Sequence, residues 1–306
     1  MESIITTGGI YTEKIKQSIL DTICKVFQCS QEDVENIEPI QEGMTNIVLS
    51  FEFNGGKYIY RYPGLGAENL VDRGRESMMQ KVVEDAGIDK TLIAMSVDEG
   101  WRISKFIESR KFDYHNLNDM VRAVMLLKKL HQFPAKVRWA FDVIQMAEAI
   151  KDKIADEYYG NFEDFSEIRD RVYKLNQMTK NDHIPWCNIH GDARDVNFLI
   201  NSEEIYLIDW EYSGYGDPGF DIGSYICGGD HSEEEIEQIL FIYFGREPKL
   251  DEKRHFYAYI GLTGWFYMHW TMYKESCGQK VGVNKELWYF FAKQYTEKAL
   301  ELYGGK

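Results

Sequence analysis

The sequence predicts an α+β fold of two lobes, a small mixed lobe over residues 1–107 and a larger, mainly helical lobe over residues 108–306. In the first lobe, segments with alternating apolar residues, typical of strands, stand beside helical patterns. From Leu117 onward the apolar residues recur mostly at helical spacing. We expect a ligand site in the cleft between the two lobes, because such sites commonly form at domain interfaces.

The small lobe begins with a predicted helix over residues 12–27, whose apolar residues are close to helical spacing. A β-hairpin follows. Residues 47–53 alternate, Asn54-Gly55-Gly56 supplies a turn, and residues 57–62 run extended again.

The rest of the small lobe is predicted to be one helix and two short strands. The helix covers residues 68–86, and Gly87 ends it because glycine is the preferred residue after a helix C-terminus. The strands cover residues 92–97 and 101–106.

The large lobe opens with a predicted helix that ends at Phe133-Pro134. Its apolar stripe is Leu117, Val121, Val124, Leu127 and Leu130. A charged, helical stretch over residues 141–175 comes next. Short strands at residues 198–200 and 205–208 precede helices that continue from Pro218 to Tyr303.

Composition and charge narrow the class of protein. The net charge of −15 argues against a general nucleic-acid or anionic-membrane surface, and it is compatible with a cationic substrate. The five cysteines are scattered without a CxxC pair, which predicts reduced thiols. Neither a signal peptide nor an apolar run long enough for a membrane span is found, so we expect a cytoplasmic protein.

The segment that carries chemistry runs from His190 to Asn197 and is followed by Asp209. Asp192 and Asn197 stand five positions apart, and Asp209 ends an apolar strand. In phosphotransferases with this layout, the first Asp takes the proton of the acceptor hydroxyl, while the Asn and the later Asp hold magnesium. Any one of these residues alone would favour a turn or cap; together they predict phosphoryl transfer.

Residues beside this motif have two interpretations each. Arg194 is a candidate catalytic cation for the developing charge of the phosphoryl group, or it forms a salt bridge. Glu211 supports the metal site or orients its neighbours. For His190 we favour a role in fixing the loop backbone, and for Asp221 a role in capping the next helix or ordering the catalytic loop.

In the small lobe, Gly43, Thr45 and Asn46 form a loop before the hairpin that could cover phosphates. Arg61 lies on the second strand of the hairpin, and Glu76 lies on the next helix. A basic residue and a glutamate so placed pair at the nucleotide site of protein kinases, with an ordinary salt bridge as the alternative.

These motifs together resemble the choline/ethanolamine kinase family, within the wider group that includes aminoglycoside phosphotransferases. The resemblance covers nearly the whole chain, and its most specific part is residues 211–222, which are similar to the choline kinase branch. The start Asp209-Trp210-Glu211-Tyr212 resembles the bacterial choline kinases more than the drug-modifying enzymes. The resemblance implies a protein-kinase-like fold in which residues 1–107 bind ATP and residues 108–306 carry the catalytic and acceptor sites. The adenine would bond to the backbone of the linker between the lobes, which comprises Lys105, Phe106 and Ile107. The residues already named would supply the further contacts to the nucleotide and to Mg²⁺.

The resemblance also implies aromatic residues that hold a quaternary ammonium by cation–π attraction. Tyr267 and Trp270 take the paired positions, although a Trp is commoner at the first, and an aromatic stripe at helical spacing is otherwise core. Tyr225, Trp265 and Trp288 are further candidates. Asp230 is a candidate for the acidic contact that eukaryotic members place after the Cys, and Glu211 completes the predicted acceptor set.

The sequence therefore predicts an ATP- and Mg²⁺-dependent kinase for the hydroxyl of a small cationic alcohol, with choline as the favoured substrate. A kinase for ethanolamine, thiamine or an aminoglycoside is the alternative. A silent nucleotide-binding protein is disfavoured, because the base and both metal ligands are present.

Overall fold

A computed structural model describes residues 4–6, 9–11, 13–40, 46–64, 70–159, 162–279 and 284–304. The small lobe is built on a five-stranded antiparallel sheet in the order β3-β4-β5-β7-β6, preceded by a two-stranded ribbon β1-β2. Its elements are β1 (Ile4–Thr6), β2 (Gly9–Tyr11), α1 (Glu13–Phe27), β3 (Val34–Ile40), β4 (Asn46–Phe53), β5 (Gly56–Pro63), α2 (Arg73–Asp85), β6 (Leu92–Met95) and β7 (Arg102–Lys105).

The predicted hairpin is confirmed as β4 and β5. Asn54 and Gly55 have φ of 48° and 74°, the left-handed conformation that tight hairpin turns require. Ile19 and Ile23 of α1 are buried with the apolar face of the sheet, so the small lobe has its own core. Strand β3 was not predicted. Within the described part of the chain it is an edge strand that pairs with β4, and a bulge between Glu35 and Glu38 breaks its alternation.

Helix α2 begins later than predicted. Asp72 caps it by accepting a hydrogen bond from the Arg75 N–H (3.0 Å), and Gly87, with φ of 65°, follows its C-terminus as expected. Met79 and Val83 of α2 are buried in the core of the large lobe. The helix therefore belongs to the first lobe by sequence but packs against both.

The large lobe is mainly helical, with short strands around the catalytic segment. Its elements are α3 (Leu117–Gln132), β8 (Ala140–Phe141), α4 (Val143–Lys151), α5 (Phe165–Thr179), β9 (Cys187–Ile189), β10 (Phe198–Ile200), β11 (Ile205–Leu207), β12 (Gly214–Gly216), α6 (Pro218–Gly228), α7 (Glu233–Phe244), α8 (Leu250–Ser276) and α9 (Asn284–Leu302). Helix α8 is buried along most of its length and packs against α4, α6 and α9.

Two helical predictions in this lobe are corrected. Leu117 and Val121 are exposed, whereas Val124, Leu127 and Leu130 of the predicted stripe are buried, together with Met120. The predicted helix over residues 141–175 is two helices, α4 and α5, and a short 3-10 helix (Asp156–Tyr159) lies between them.

The α+β class is confirmed, while the division at residue 107 stays a prediction. The sheet of the small lobe ends at Lys105, and the first helix of the large lobe begins at Leu117. All five cysteines are unpaired, as predicted. Among the described residues, no helix is both long and apolar enough to cross a membrane.

Candidate active site

The loop between β9 and β10 carries Asp192 and is fixed by buried polar contacts. Gly191 has φ of 86°, and a Cβ at this position would lie 2.3 Å from the carbonyl oxygen of Tyr212, so the position requires glycine. The backbone N–H groups of His190 and Gly191 donate to the two oxygens of Asp221, at 2.7 and 2.9 Å. Asp221 is fully buried and therefore orders this loop.

The His190 ring has partners on both nitrogens. Nδ1 accepts from the Asp192 N–H (3.1 Å), so Nε2 carries the proton and donates to the carbonyl of Ile208 (2.8 Å). The ring thus links the loop to the end of β11, which fits a positioning role.

Four donor groups surround the Asp192 carboxylate. Oδ1 accepts from Arg194 Nε and from the Tyr267 hydroxyl, both at 2.7 Å; Oδ2 accepts from Asn197 Nδ2 at 3.0 Å and, more weakly, from Arg194 Nη2 at 3.4 Å. Burial opposes the charge of Asp192, but Arg194 and these hydrogen bonds outweigh it and lower the pKa of the carboxyl. Asp192 is ionised at neutral pH.

The predicted metal ligands Asn197 and Asp209 lie on neighbouring chain segments. The Ile208 N–H donates to the Asn197 carbonyl (3.0 Å), which places Asn197 beside the residue before Asp209. Asp209 has φ of 70° and a side chain that is 30% exposed. It lies two residues after the end of β11 and presents a partly exposed carboxylate.

Arg61 joins the two lobes at this point. Its Nη1 lies 2.5 Å from Asp209 Oδ1 and its Nη2 lies 2.5 Å from Glu76 Oε1. The predicted pair of Arg61 and Glu76 therefore exists, and it extends to Asp209.

Arg73 is a further member of the cluster, which the sequence did not indicate. Its Nη1 lies 2.7 Å from Glu76 and 3.0 Å from Glu211, and its Nη2 donates to Asn46 Oδ1 at 3.1 Å. Asn46 in turn donates to Glu211 (3.1 Å). The only available signal was the spacing of three residues between Arg73 and Glu76, which is common for surface pairs on helices.

The carboxylates of this cluster respond differently to burial. Burial raises the pKa of Glu76, but Arg61, Arg73 and Arg102 reverse this and hold it at about 2. For Glu211, burial and the neighbouring charge of Asp209 raise the pKa to about 7. Burial also raises the pKa of Asp209, against the attraction of Arg61.

The structure describes only some of the remaining nucleotide-binding candidates. Gly43 and Thr45 lie outside the described residues. Lys105 and Phe106 use their backbone N–H groups within the small lobe, bonding the carbonyls of residues 91 and 57 at 2.8 and 3.0 Å. Ile107 is half-buried beside them.

One of the acceptor candidates, Tyr267, bonds Asp192 directly. The Tyr267 ring packs 5.1 Å from the Trp288 ring, between centroids, and the Arg194 guanidinium lies 5.3 Å from the centre of the Tyr267 ring. The Tyr267 hydroxyl also bonds Ser224 Oγ (2.5 Å). The structure therefore brings Tyr267 together with the predicted base, and Trp288 together with Tyr267.

The other aromatic and acidic candidates have different partners. Trp270 donates its indole N–H to the Tyr212 hydroxyl (2.8 Å), and the ammonium of Lys274 lies 5.7 Å from its ring centre. Tyr225 and Trp265 are fully buried in aromatic clusters, and Asp230 is exposed just after α6. Among the described residues, none of these four side chains forms a hydrogen bond with Asp192.

Comparison with known sequences gives a consistent result. Residues 37–259 match the sequence model of a family described as choline/ethanolamine kinase. Protein LicA of Haemophilus influenzae is 25% identical over 256 residues, which cover 78% of this chain and 74% of that protein. A probable ethanolamine kinase of Arabidopsis thaliana is 25% identical over 240 residues, 72% of this chain and 61% of that one.

Solved structures show the same fold. The crystal structure of choline kinase LicA from Streptococcus pneumoniae superposes with a TM-score of 0.81 at 21% identity, covering 94% of this chain and all (100%) of that one. A spectinomycin phosphotransferase superposes with a TM-score of 0.57 at 14% identity, over 94% and 98% of the two chains. The predicted protein-kinase-like fold of two lobes is therefore confirmed.

Proposed function

The chain belongs to the choline/ethanolamine kinase family, and from this premise we propose that it transfers the γ-phosphoryl group of ATP to the hydroxyl of choline. It is a small-molecule kinase that acts on choline-like alcohols. The observation that carries the proposed mechanism is the Asp192 carboxylate, ionised and held by Arg194, Tyr267 and Asn197.

Asp192 is proposed as the general base. An acceptor hydroxyl within hydrogen-bond reach would donate to the carboxylate and lose its proton as the oxygen attacks phosphorus. Because four donors fix its orientation, the carboxylate is presented in one geometry. Arg194 keeps it charged and provides a cation beside the reacting groups.

Asn197 and Asp209 fit a magnesium site by their chemistry. The amide N–H₂ of Asn197 donates hydrogen bonds to Asp192, so its side-chain carbonyl oxygen remains available as a metal ligand. Asp209 adds carboxylate oxygens on a partly exposed side chain. Bound Mg²⁺ would neutralise charge on the phosphate oxygens during transfer.

Arg61 is proposed to contact the phosphates of the nucleotide. Glu76, fully buried on α2, holds one arm of its guanidinium, so the planar fork is oriented towards the cleft and Asp209. Asn46 and Arg73 border the same region and would support the phosphate end of the site.

The preference for choline rests on aromatic rings whose polar atoms are already engaged. The Tyr267 hydroxyl and the Trp270 indole N–H bond protein groups, so the rings offer faces rather than free donors. Ring faces attract a quaternary ammonium by about 0.5–2 kcal/mol, whereas the primary ammonium of ethanolamine needs hydrogen-bond acceptors. The net charge of −15 favours a cation.

The test is ADP formation with choline, ethanolamine, thiamine and an aminoglycoside as acceptors. We expect the highest kcat/KM with choline; a higher value with ethanolamine would overturn the substrate while leaving the reaction class intact. Asp192→Asn is expected to lower kcat by about 10²–10⁴-fold without loss of nucleotide binding. Asp195→Asn, the same change in the same loop, is the control and should turn over like the parent.

A further inference from the structure

A second cluster of ligand-type side chains lies at the start of α7, next to the acceptor candidates Tyr225 and Asp230 but apart from the proposed base and magnesium ligands. Within the described part of the chain, His115, His231 and Glu235 each offer one ligand atom, and these atoms lie within 4.8 Å of one another. His115 Nδ1 is 2.6 Å from Glu235 Oε1, and His231 Nδ1 is 3.9 Å from Glu235 Oε2. No contact of this cluster reaches Asp192 or Asp209 among the described residues.

The burial of His231 and its unpartnered ring nitrogens distinguish this cluster from an ordinary surface ion pair. Its side chain is fully buried, and neither ring nitrogen has a hydrogen-bond partner among the described residues. Buried polar atoms are normally satisfied, so two unpartnered nitrogens on one ring require an explanation. Nδ1 faces the Glu235 carboxylate, towards the position that a shared ligand would occupy.

We propose that His115, His231 and Glu235 bind a transition-metal ion of the zinc class, with a fourth position open to water. Imidazole and carboxylate are ligands that Zn²⁺ accepts, and two histidines with one glutamate form a known three-ligand set for that ion. Because the His115 side chain is 54% exposed, the open position would face solvent.

The surroundings hold two of the three ligands in place. Glu235 Oε2 accepts from the Ser232 N–H (2.8 Å), so Oε1, which lies 2.6 Å from His115 Nδ1, is the oxygen that a metal ion would share with that histidine. The His231 ring stacks on Tyr225 at 5.6 Å and meets Tyr114 edge-on at 5.5 Å, between centroids. Such contacts around the ligands fix their orientation and strengthen metal binding.

Only a small movement is needed to complete the site. Ligand atoms around tetrahedral zinc stand about 3.4 Å apart, given bonds of about 2.1 Å. The ligand atoms here span distances from 2.6 Å up to at most 4.8 Å. Rotation of the exposed His115 side chain, together with a small adjustment of the carboxylate, would equalise them.

The test is titration of the full chain with Zn²⁺ against a chromophoric chelator, and with Co²⁺ followed by visible absorption. We expect one tight ion per chain and the intense Co²⁺ bands of low coordination number. His115→Ala, at an exposed position, should weaken affinity at least about tenfold, because even outer-shell losses cost 10–100-fold. Glu235→Gln should do the same while keeping the helix cap, since Gln also serves in a capping box.

His183→Ala is the matched control, because His183 is exposed and lies outside the cluster. It should bind like the parent, and so should Asp209→Asn, which removes a carboxylate from the proposed magnesium site. Equal affinity in the parent and His115→Ala, or no tight site at all, would overturn the proposal. Binding is measured without turnover, so this result is independent of the proposed kinase mechanism.

Discussion

Replacement of Tyr267 by phenylalanine tests how the proposed base is kept ionised. The hydroxyl of Tyr267 donates to Asp192 Oδ1 at 2.7 Å, and the side chain of Asp192 is 16% exposed. The substitution removes this donor and keeps the aromatic ring. Because Tyr267 stabilises only the charged form of the carboxyl, its loss must raise the pKa of Asp192.

The size of the shift follows from the hydrogen bond. A bond to a charged group contributes about 1.5–3 kcal/mol. One pKa unit corresponds to about 1.36 kcal/mol, so the pKa of Asp192 should rise by about 1–2 units. Arg194 remains in place and provides the larger part of the stabilisation, so the carboxylate stays ionised at pH 7. Turnover at neutral pH should therefore change little.

The assay is kcat/KM for choline as a function of pH, with ADP quantified directly by chromatography. The acidic limb reports protonation of the base in the free enzyme, and in Tyr267→Phe it should move to higher pH by about 1–2 units. KM near neutral pH should hold, since the ring that faces Trp288 and Arg194 is retained.

Tyr225→Phe is the matched control. Tyr225 is as deeply buried, but its hydroxyl has no hydrogen-bond partner among the described residues, so its removal should leave the limb unmoved. If the acidic limb of kcat/KM lies at the same pH in Tyr267→Phe and in the parent, the group that titrates there is not a carboxylate stabilised by Tyr267. The assignment of Asp192 as the base then fails.

Three further predictions concern the nucleotide cluster, the catalytic loop and a buried histidine. Arg61→Lys should lower kcat/KM for ATP about 10–100-fold in steady-state assays, because lysine cannot bridge two carboxylates and one charge-assisted bond of about 1.5–3 kcal/mol is lost. In urea unfolding, Gly191→Ala should lose at least about 1–3 kcal/mol, and more than Gly55→Ala, which has a similar φ but open space around it; equal losses would contradict the clash. Burial opposes the charge of His255, but hydrogen bonds to Asp182 and Asp217 raise its pKa to about 9. Its contribution of about 3 kcal/mol is therefore complete below about pH 6.5 and is lost as pH rises through 9. The parent should therefore lose stability over that window relative to His255→Gln, and parallel pH curves would refute the shift.

The catalytic chemistry could be predicted from the sequence because its residues are close together along the chain. Asp192 and Asn197 share one loop, and Asp209 follows a strand that pairs with the segment after that loop. Local spacing of this kind is visible in sequence, and the hairpin β4–β5 was visible for the same reason. Whether these residues act as assigned stays a prediction.

Contacts between distant segments could not be predicted in this way. The bond from Tyr267 to Asp192 joins residues 75 positions apart, and the ion pair of Arg73 with Glu211 joins residues 138 positions apart. Sequence pattern placed Tyr267 on an aromatic helix but could not show which way its hydroxyl pointed. The stripe of α3 was predicted correctly at Val124, Leu127 and Leu130, but Leu117 and Val121 lie on the exposed side, because an apolar residue at roughly helical spacing can still fall outside the buried face.

The buried cluster between the lobes explains why Asp209, rather than Glu76 or Glu211, is suited to hold a metal ion. Glu76 is fully buried and neutralised by arginines, so its charge is already used. Glu211 is almost as buried, and burial, together with the neighbouring charge of Asp209, raises its pKa to about 7. Of these three carboxylates, Asp209 has the exposed face. A divalent cation at Asp209 would offset the charge that Asp209 adds beside Glu211, so the arrangement favours binding where phosphates can complete the coordination.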